Sequence, residues 1–204
     1  MKISYAICVC TEARELDILL TFLEEVKRPQ DEVVVLVDTS SVTQQVHEVL
    51  SKYSWVLKVS RKFNKDFADH KNFLGEKCSG DYIFNIDADE VPQEFLVRAI
   101  EKITDGENPP DLLAVPRINI CLGYTQSFLK KHKFSCNENG WINWPDYQGR
   151  VYRKELRWGG KVHERIEGFK TSAALPTHPN MCLWHVKSTI KQDKQDELYG
   201  TITG

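Results

Sequence analysis

The sequence predicts an α/β protein built on a parallel, doubly wound sheet. Three observations carry this. Residues 3–10, 32–37 and 82–86 are apolar runs rich in β-branched and aromatic residues, with little polar alternation, as in strands buried on both faces. The stretches 15–26 and 40–52 between them have helical apolar spacing, through Leu16, Leu19, Leu20, Leu23 and Val26 and through Val42, Val46, Val49 and Leu50. Polar groups follow the apolar runs directly: Thr11-Glu12, Asp38, and Asp87-Ala88-Asp89-Glu90. In open α/β sheets, ligands bind at those carboxyl ends.

The remaining elements follow in order. Residues 55–59 read as a third strand, completing β-α-β-α-β, for which a right-handed parallel sheet is the economical topology. A helix is expected over 67–78 and another over 92–103, with a polar Gly/Pro loop at 104–110. A strand starts at 112–118. Between 117 and 144 the run KKHKF reads as loop or helix, and Asn137-Glu138-Asn139-Gly140 as a turn. Strands are expected over 148–153 and 168–175, and a polar helix over 188–199. No internal repeat or linker interrupts the chain. It reads as one domain, 1–204, with a half at 1–110 and a half at 111–204.

The 204 residues, 41% hydrophobic and 27% charged, suit one globular domain with a full core. No run approaches the roughly 20 apolar residues of a membrane span, and MKISYAICVC turns polar too soon for a signal peptide. The six cysteines have neither zinc-knuckle nor redox spacing, which fits reduced thiols and a cytoplasmic location. Residues 1–110 carry 13 Lys/Arg against 20 Asp/Glu, net −7, whereas residues 111–204 carry 14 against 9, net +5. Such a split suggests two ligands of different character.

The organising stretch is GDYIFNIDADE, residues 80–90. Alternation along its strand puts Asp87 and Asp89 on one side. Neighbouring carboxylates repel unless a cation joins them, and hard oxygen ligands suit Mg²⁺ or Mn²⁺, which keep positions open for phosphate oxygens. The alternative is a solvated acidic turn. No Gly-rich Walker loop is present, which favours a metal-bridged diphosphate over a cradle of backbone N–H groups.

The run NKDFADHKNFLGEKCSGDYIFNIDADE, residues 64–90, with Val162-His163-Glu164, resembles family 2 glycosyltransferases of the GT-A fold. The resemblance covers most of the chain. It implies a Rossmann-like nucleotide half joined through a mixed sheet to an acceptor half, and transfer of a sugar, with inversion, from a nucleotide-diphosphate sugar, a UDP sugar first, to a hydroxyl. It implies that Asp87 and Asp89 hold the divalent ion and ribose, and that Thr11, Glu12 and Asp38 contact the nucleoside. Asp38 is followed by Thr39 where the commoner family pattern has a second aspartate. Lys71, in the helix before the Asp-x-Asp strand, suits a uracil or phosphate contact; Arg150 and Lys161 suit the diphosphate.

Inverting transfer needs a base for the acceptor hydroxyl and stabilisation of the departing diphosphate. Glu164 is the first candidate base and Asp146 the second. His163 or His185 could add a nitrogen ligand to the metal. Trp141, Trp144, Tyr147, Tyr152 and Trp158 fall within 18 residues, and either fill core or stack on a substrate. Residues 115–153 look most like small family 2 enzymes encoded by tailed bacteriophages. That likeness implies an anionic acceptor, hydroxymethylcytosine in phage DNA, and the host cytoplasm as location. The alternative acceptor is a lipopolysaccharide-core or other glycan. A different class is a nucleotide-sugar-binding or nucleotidyl-transfer protein, against which the absence of a Gly-rich phosphate loop and the presence of both motif aspartates argue.

Overall fold

The computed structural model describes residues 1–203. In chain order its elements are β1 (Ile3–Val9), α1 (Ala13–Val26), β2 (Glu32–Asp38), α2 (Gln44–Lys52), β3 (Leu57–Arg61), α3 (Phe67–Lys77), β4 (Tyr82–Asp87), β5 (Glu90–Pro92), α4 (Glu94–Thr104), β6 (Leu112–Leu122), α5 (Gln126–His132), β7 (Ile142–Arg153), β8 (Arg157–Gly159), β9 (Arg165–Glu167), β10 (Ser172–Ala174), β11 (Leu183–Ser188) and α6 (Thr189–Thr203). The central sheet has the order β3-β2-β1-β4-β7-β6-β11-β5, with β10 also paired to β6; β8 and β9 form a separate ribbon. Strands β3, β2, β1 and β4 are mutually parallel. β7 runs antiparallel to both β4 and β6. The sheet is therefore mixed, parallel over its first four strands and antiparallel around β7, as the resemblance implies.

The uninterrupted apolar runs follow from double burial. Ile3, Tyr5, Ile7 and Val9 of β1, with Val33, Val35 and Val37 of β2, face the core that α1, α2 and α4 cover. Ala6, Val34 and Leu36 face the other way, towards α3 and the β8–β9 ribbon, where Ala68, Leu74 and Trp158 meet them. Gly80 is required where the chain enters β4: a Cβ there would lie 2.8 Å from the Ser4 nitrogen and 2.9 Å from the Lys2 oxygen. No other residue fits between those strands without moving backbone.

Several expected boundaries shift, for physical reasons. The helix expected from residue 40 begins at Gln44, because Asp38 Oδ1 accepts from Ser40 N at 2.9 Å and Ser40 Oγ at 2.6 Å and holds residues 39–41 in a turn. The expected helix start at Pro92 is wrong by one short strand: Glu90–Pro92 pairs antiparallel with β11, and α4 begins at Glu94. The strand expected over 168–175 shrinks to Ser172–Ala174, an exposed edge. The third strand lies at Leu57–Arg61 rather than 55–59. Strands β8, β9 and β11 were not expected. The cysteines are free thiols, Cys78, Cys121 and Cys182 buried and Cys8, Cys10 and Cys136 half-buried. Among the described residues, no helix is long and apolar enough to cross a membrane.

Glu32 ties the amino-terminal ends of the strands together. It accepts from Lys2 Nζ at 2.9 Å, Ser4 Oγ at 2.6 Å and Ser79 Oγ at 2.7 Å. Burial raises its carboxyl, but these donors outweigh burial and bring it down to about 2. A carboxylate lowered in the folded state adds stability above its ordinary value of about 4.3 and loses it as pH falls through the folded value. Urea-unfolding midpoints, followed from neutral pH downwards, should therefore drop below about pH 4.3, and Glu32→Gln should flatten part of that slope.

Candidate functional site

Strand register assembles the site. Asp87 is the last residue of β4, Asp89 lies in the two-residue turn that follows, and Glu90 opens β5. The β5–β11 pairing sets His185 opposite Glu90, and the β11–β6 pairing sets His185 opposite Asn119. The β6–β7 pairing sets Arg117 opposite Asp146. Arg150 projects from β7 beside the end of β4, its Nη1 3.4 Å from Asn85 Oδ1.

These positions create one continuous charge network. Glu90, wholly buried, accepts on Oε1 from Arg150 Nη2 at 2.6 Å and Arg117 Nη1 at 2.9 Å. Its Oε2 accepts from the Asp87 backbone N–H at 3.1 Å. Arg150 also donates to Asp87 Oδ2 at 2.7 Å. Arg117 grips Asp146 Oδ2 through Nε at 2.9 Å and Nη2 at 2.7 Å. Asp146 further accepts from Asn119 Nδ2 at 2.8 Å and Gln148 Nε2 at 2.7 Å. Burial raises the Asp146 carboxyl, but Arg117, Asn119 and Gln148 together hold it below the ordinary range. Asp87 behaves likewise: burial opposes ionisation, and Arg150 with Lys71 overcomes it.

Lys71, buried on α3, joins the network to Glu164. Its Nζ lies 2.6 Å from Glu164 Oε1 and 3.9 Å from Asp87 Oδ1, and sits over the Trp158 ring at 4.4 Å. Lys71 is kept protonated because Asp87 and Glu164 outweigh both burial and Arg150.

Asp89 forms a second cluster. Its Oδ2 lies 2.9 Å from Lys191 Nζ and 3.3 Å from His185 Nε2. Burial raises the Asp89 carboxyl, but His185 and Lys191 hold it well below the ordinary range. The orientation of His185 can be worked out. Asp146 only accepts, so the Asn119 amide must turn its NH₂ to Asp146 and its Oδ1 to His185 Nδ1, 2.8 Å away. Nδ1 therefore donates, and Nε2 faces Asp89. An imidazole whose far nitrogen donates to an oriented carbonyl, with its near nitrogen beside a carboxylate oxygen, is a donor pair that suits Mn²⁺ or Mg²⁺. Among the described residues no three His, Cys, Asp or Glu side chains come together as a cage; phosphate oxygens and water would complete a shell built on Asp89 and His185.

The other expected site residues fall as follows. Glu12 Oε2 accepts from Cys10 N at 3.1 Å and Thr11 N at 2.9 Å, and its Oε1 is 3.4 Å from Lys191. Thr11 and Glu12 line a cleft of about 330 Å³ whose other wall is α6. Asp38 closes the turn after β2, accepting also from Phe63 N at 2.9 Å. Asp87, Asp146, Arg150, His163 and Glu164 line one cavity of about 890 Å³, again walled partly by α6. Of the two histidines, His185 is the one beside Asp89; His163, at a left-handed φ of 54°, meets the Tyr199 ring instead, at 5.4 Å. Lys161 is exposed, and its carbonyl accepts from Phe67 N at 3.0 Å. Of the clustered aromatics, Tyr152 and Trp158 are core, while Tyr147 is exposed.

The glycosyl transferase family 2 profile matches residues 4–170. The chain belongs to this family. Its fold is similar to that of S. aureus TarS 1–349: TM-score 0.64 at 16% identity, covering 99% of this chain and 64% of that one. Against the UDP-GlcNAc complex of TarS 1–349 the TM-score is 0.62 at 16% identity, covering 92% and 59%. Against the UDP complex it is 0.62 at 15%, covering 99% and 65%. The family 2 chain thus spans about three-fifths of the TarS structures that it matches. No curated protein sequence matches it.

Sequence reading missed Glu90, Arg117, Asn119 and Lys191. A lone arginine inside LLAVPRINICL was a signal, since a charge within an apolar strand needs a partner. Removing the hub leaves two guanidinium groups without their shared acceptor. Glu90→Ala should cost about 3–5 kcal/mol in chemical denaturation, and Glu90→Gln, which keeps an acceptor oxygen, distinctly less.

Proposed function

We propose that this family 2 chain transfers a sugar from a nucleotide-diphosphate sugar, a UDP sugar first, to a hydroxyl with inversion at the anomeric carbon. The observation that carries the reading is the position of Asp87 and Asp89: Asp87 ends β4 in the wall of the larger cavity that contains Glu164, and Asp89, in the turn that follows, pairs with Lys191 of the cleft lined by Thr11 and Glu12. Thr11 and Glu12 serve the nucleoside in the cleft, with Asp38 at the end of the adjacent strand β2. Asp89 and His185 would hold Mn²⁺ or Mg²⁺, and the chemistry that ion supplies is neutralisation of diphosphate charge. His163 stays apart from that pair.

Glu164 is our base. It lies in a loop lining the acceptor cavity and is held in place by Lys71, so it can take the proton of a hydroxyl bound there. Asp146 is the weaker candidate, because Arg117, Asn119 and Gln148 engage both its oxygens and lower its proton affinity. Arg150 acts on the donor through Asp87, since its guanidinium is buried against Asp87 and Glu90. Lys161, exposed at the loop, is left to a phosphate that approaches from solvent.

For the acceptor we propose an anionic hydroxyl compound, supported by the net +5 of residues 111–204. Hydroxymethylcytosine in DNA and an anionic glycan such as a lipopolysaccharide core are the two candidates.

The experiment is a panel of nucleotide sugars with hydroxymethylated DNA, plain DNA and glycan acceptors. Transfer should vanish with EDTA and return with Mn²⁺ or Mg²⁺. Glu164→Gln should lower kcat by about 10²–10⁴-fold with nucleotide binding nearly intact; an inactive Asp146→Asn beside an active Glu164→Gln would exchange the roles. If DNA is the acceptor, its affinity should fall steeply with salt. Transfer to the glycan alone removes the DNA reading, and nucleotide binding without any transfer removes the enzyme reading.

A further inference from the structure

Glycosyl transfer moves negative charge onto the leaving group. The anomeric C1–O bond to the β-phosphate breaks and its electron pair goes to the phosphate oxygen. The acceptor oxygen forms the new bond to C1, and its proton goes to the base carboxylate. A cation near the departing diphosphate helps only if it can turn from its resting carboxylates to the phosphate. The cations deepest in the site fail that requirement. Lys71 is bound to Glu164, Arg150 to Asp87 and Glu90, and Arg117 to Glu90 and Asp146, with side chains only 10%, 4% and 19% exposed.

Lys191 is different. Its side chain is 38% exposed on the wall of the cleft that Thr11 and Glu12 share with Ser188 and Lys194. Its ammonium lies 2.9 Å from Asp89 and 3.4 Å from Glu12, so it bridges the end of the β4 motif and the loop after β1. The helix that carries it is held without an apolar stripe: Ile190 and Leu198 are 68% and 39% exposed. Its ties are polar contacts, Lys131 to Asp193, His132 to Asp196 and Lys187 to Gln195, together with the Tyr199 ring against Phe67 and His163. A lysine on a four-carbon stem leaves a carboxylate for a phosphate by rotamer change alone.

We propose that Lys191 is the leaving-group cation of this enzyme: it rests on Asp89 and Glu12 without donor, and passes to the donor's diphosphate when the nucleotide sugar binds. This rests on the nucleotide-sugar reading above and deepens it.

The test compares wild type, Lys191→Ala and Lys191→Arg by calorimetric titration with UDP, GDP and the matching nucleosides, with circular dichroism to confirm that each variant is folded. Lys191→Ala should weaken nucleoside-diphosphate binding at least about tenfold and leave nucleoside binding unchanged, and Lys191→Arg should restore most of the loss. With donor and acceptor in hand, kcat of Lys191→Ala should fall by about 10²–10³-fold, the loss typical of a removed oxyanion donor. Unchanged diphosphate affinity in Lys191→Ala overturns the assignment while leaving the donor reading intact. Equal weakening of nucleoside and diphosphate overturns it too, since it would mean a distorted cleft. A wild type that binds no nucleoside diphosphate overturns the donor reading and this inference together.

Discussion

The buried carboxylate of Glu90 is the contact on which the rest of the site depends. It receives a guanidinium from each side, Arg150 and Arg117, and each arginine also grips a carboxylate at the junction of the halves. A buried charge without partners is untenable, and a single buried ion pair adds little to stability. Here the partners form a chain, Asp87–Arg150–Glu90–Arg117–Asp146, that crosses from the parallel strands into the antiparallel ones. The chain ties β4, β5, β6 and β7 together at the site. Three carboxylates share two guanidinium groups, so this chain of side chains carries one more negative charge than positive.

The same network explains why β4 ends as it does. A strand buried on both faces cannot carry carboxylates through the core, so the chain must turn at Asp87 or find counter-charges there. It does both. The turn at Ala88-Asp89 sets Asp89 against Lys191, and β5 brings Glu90 back against β11. Because β11 pairs with both β5 and β6, one register places His185 beside Asp89 and Asn119 beside His185. The tautomer of His185 is thereby traced to Asp146, two hydrogen bonds away through Asn119.

Legibility in the sequence divides along the same line. Strands β1, β2 and β4 and helices α1 and α3 could be read because double burial forces long apolar runs and amphipathic spacing. The Asp87/Asp89 motif could be read because it ends such a run. Strands β8 and β9 are three residues each, too short for a period to show. The sequence LWHVKS of β11 mixes apolar and charged residues, since that strand lines the site as well as the core. The beginning of β7 was hidden by Asn143 at positive φ and by Pro145. Glu90 was visible as a third carboxylate, but its role depends on arginines 27 and 60 residues away, which no local pattern specifies. Lys191 sits in a polar helix that gives no signal at all.

The two candidate bases show how environment separates like groups. Both carboxylates border the acceptor cavity, and both touch a cation. Asp146 is held by a two-nitrogen arginine contact, an asparagine and a glutamine, so every nearby donor favours its ionised form and removes its appetite for a proton. Glu164 has one close ammonium, and that ammonium is itself drawn towards Asp87 and the face of Trp158. Lys71 is therefore shared between Glu164 and Asp87 and has no tie to Glu90. Asp146 differs, because Arg117 is tied at its other end to Glu90. The hub that stabilises the site thus makes Asp146 a fixed structural anion and leaves Glu164 outside it, joined to the network only through Lys71.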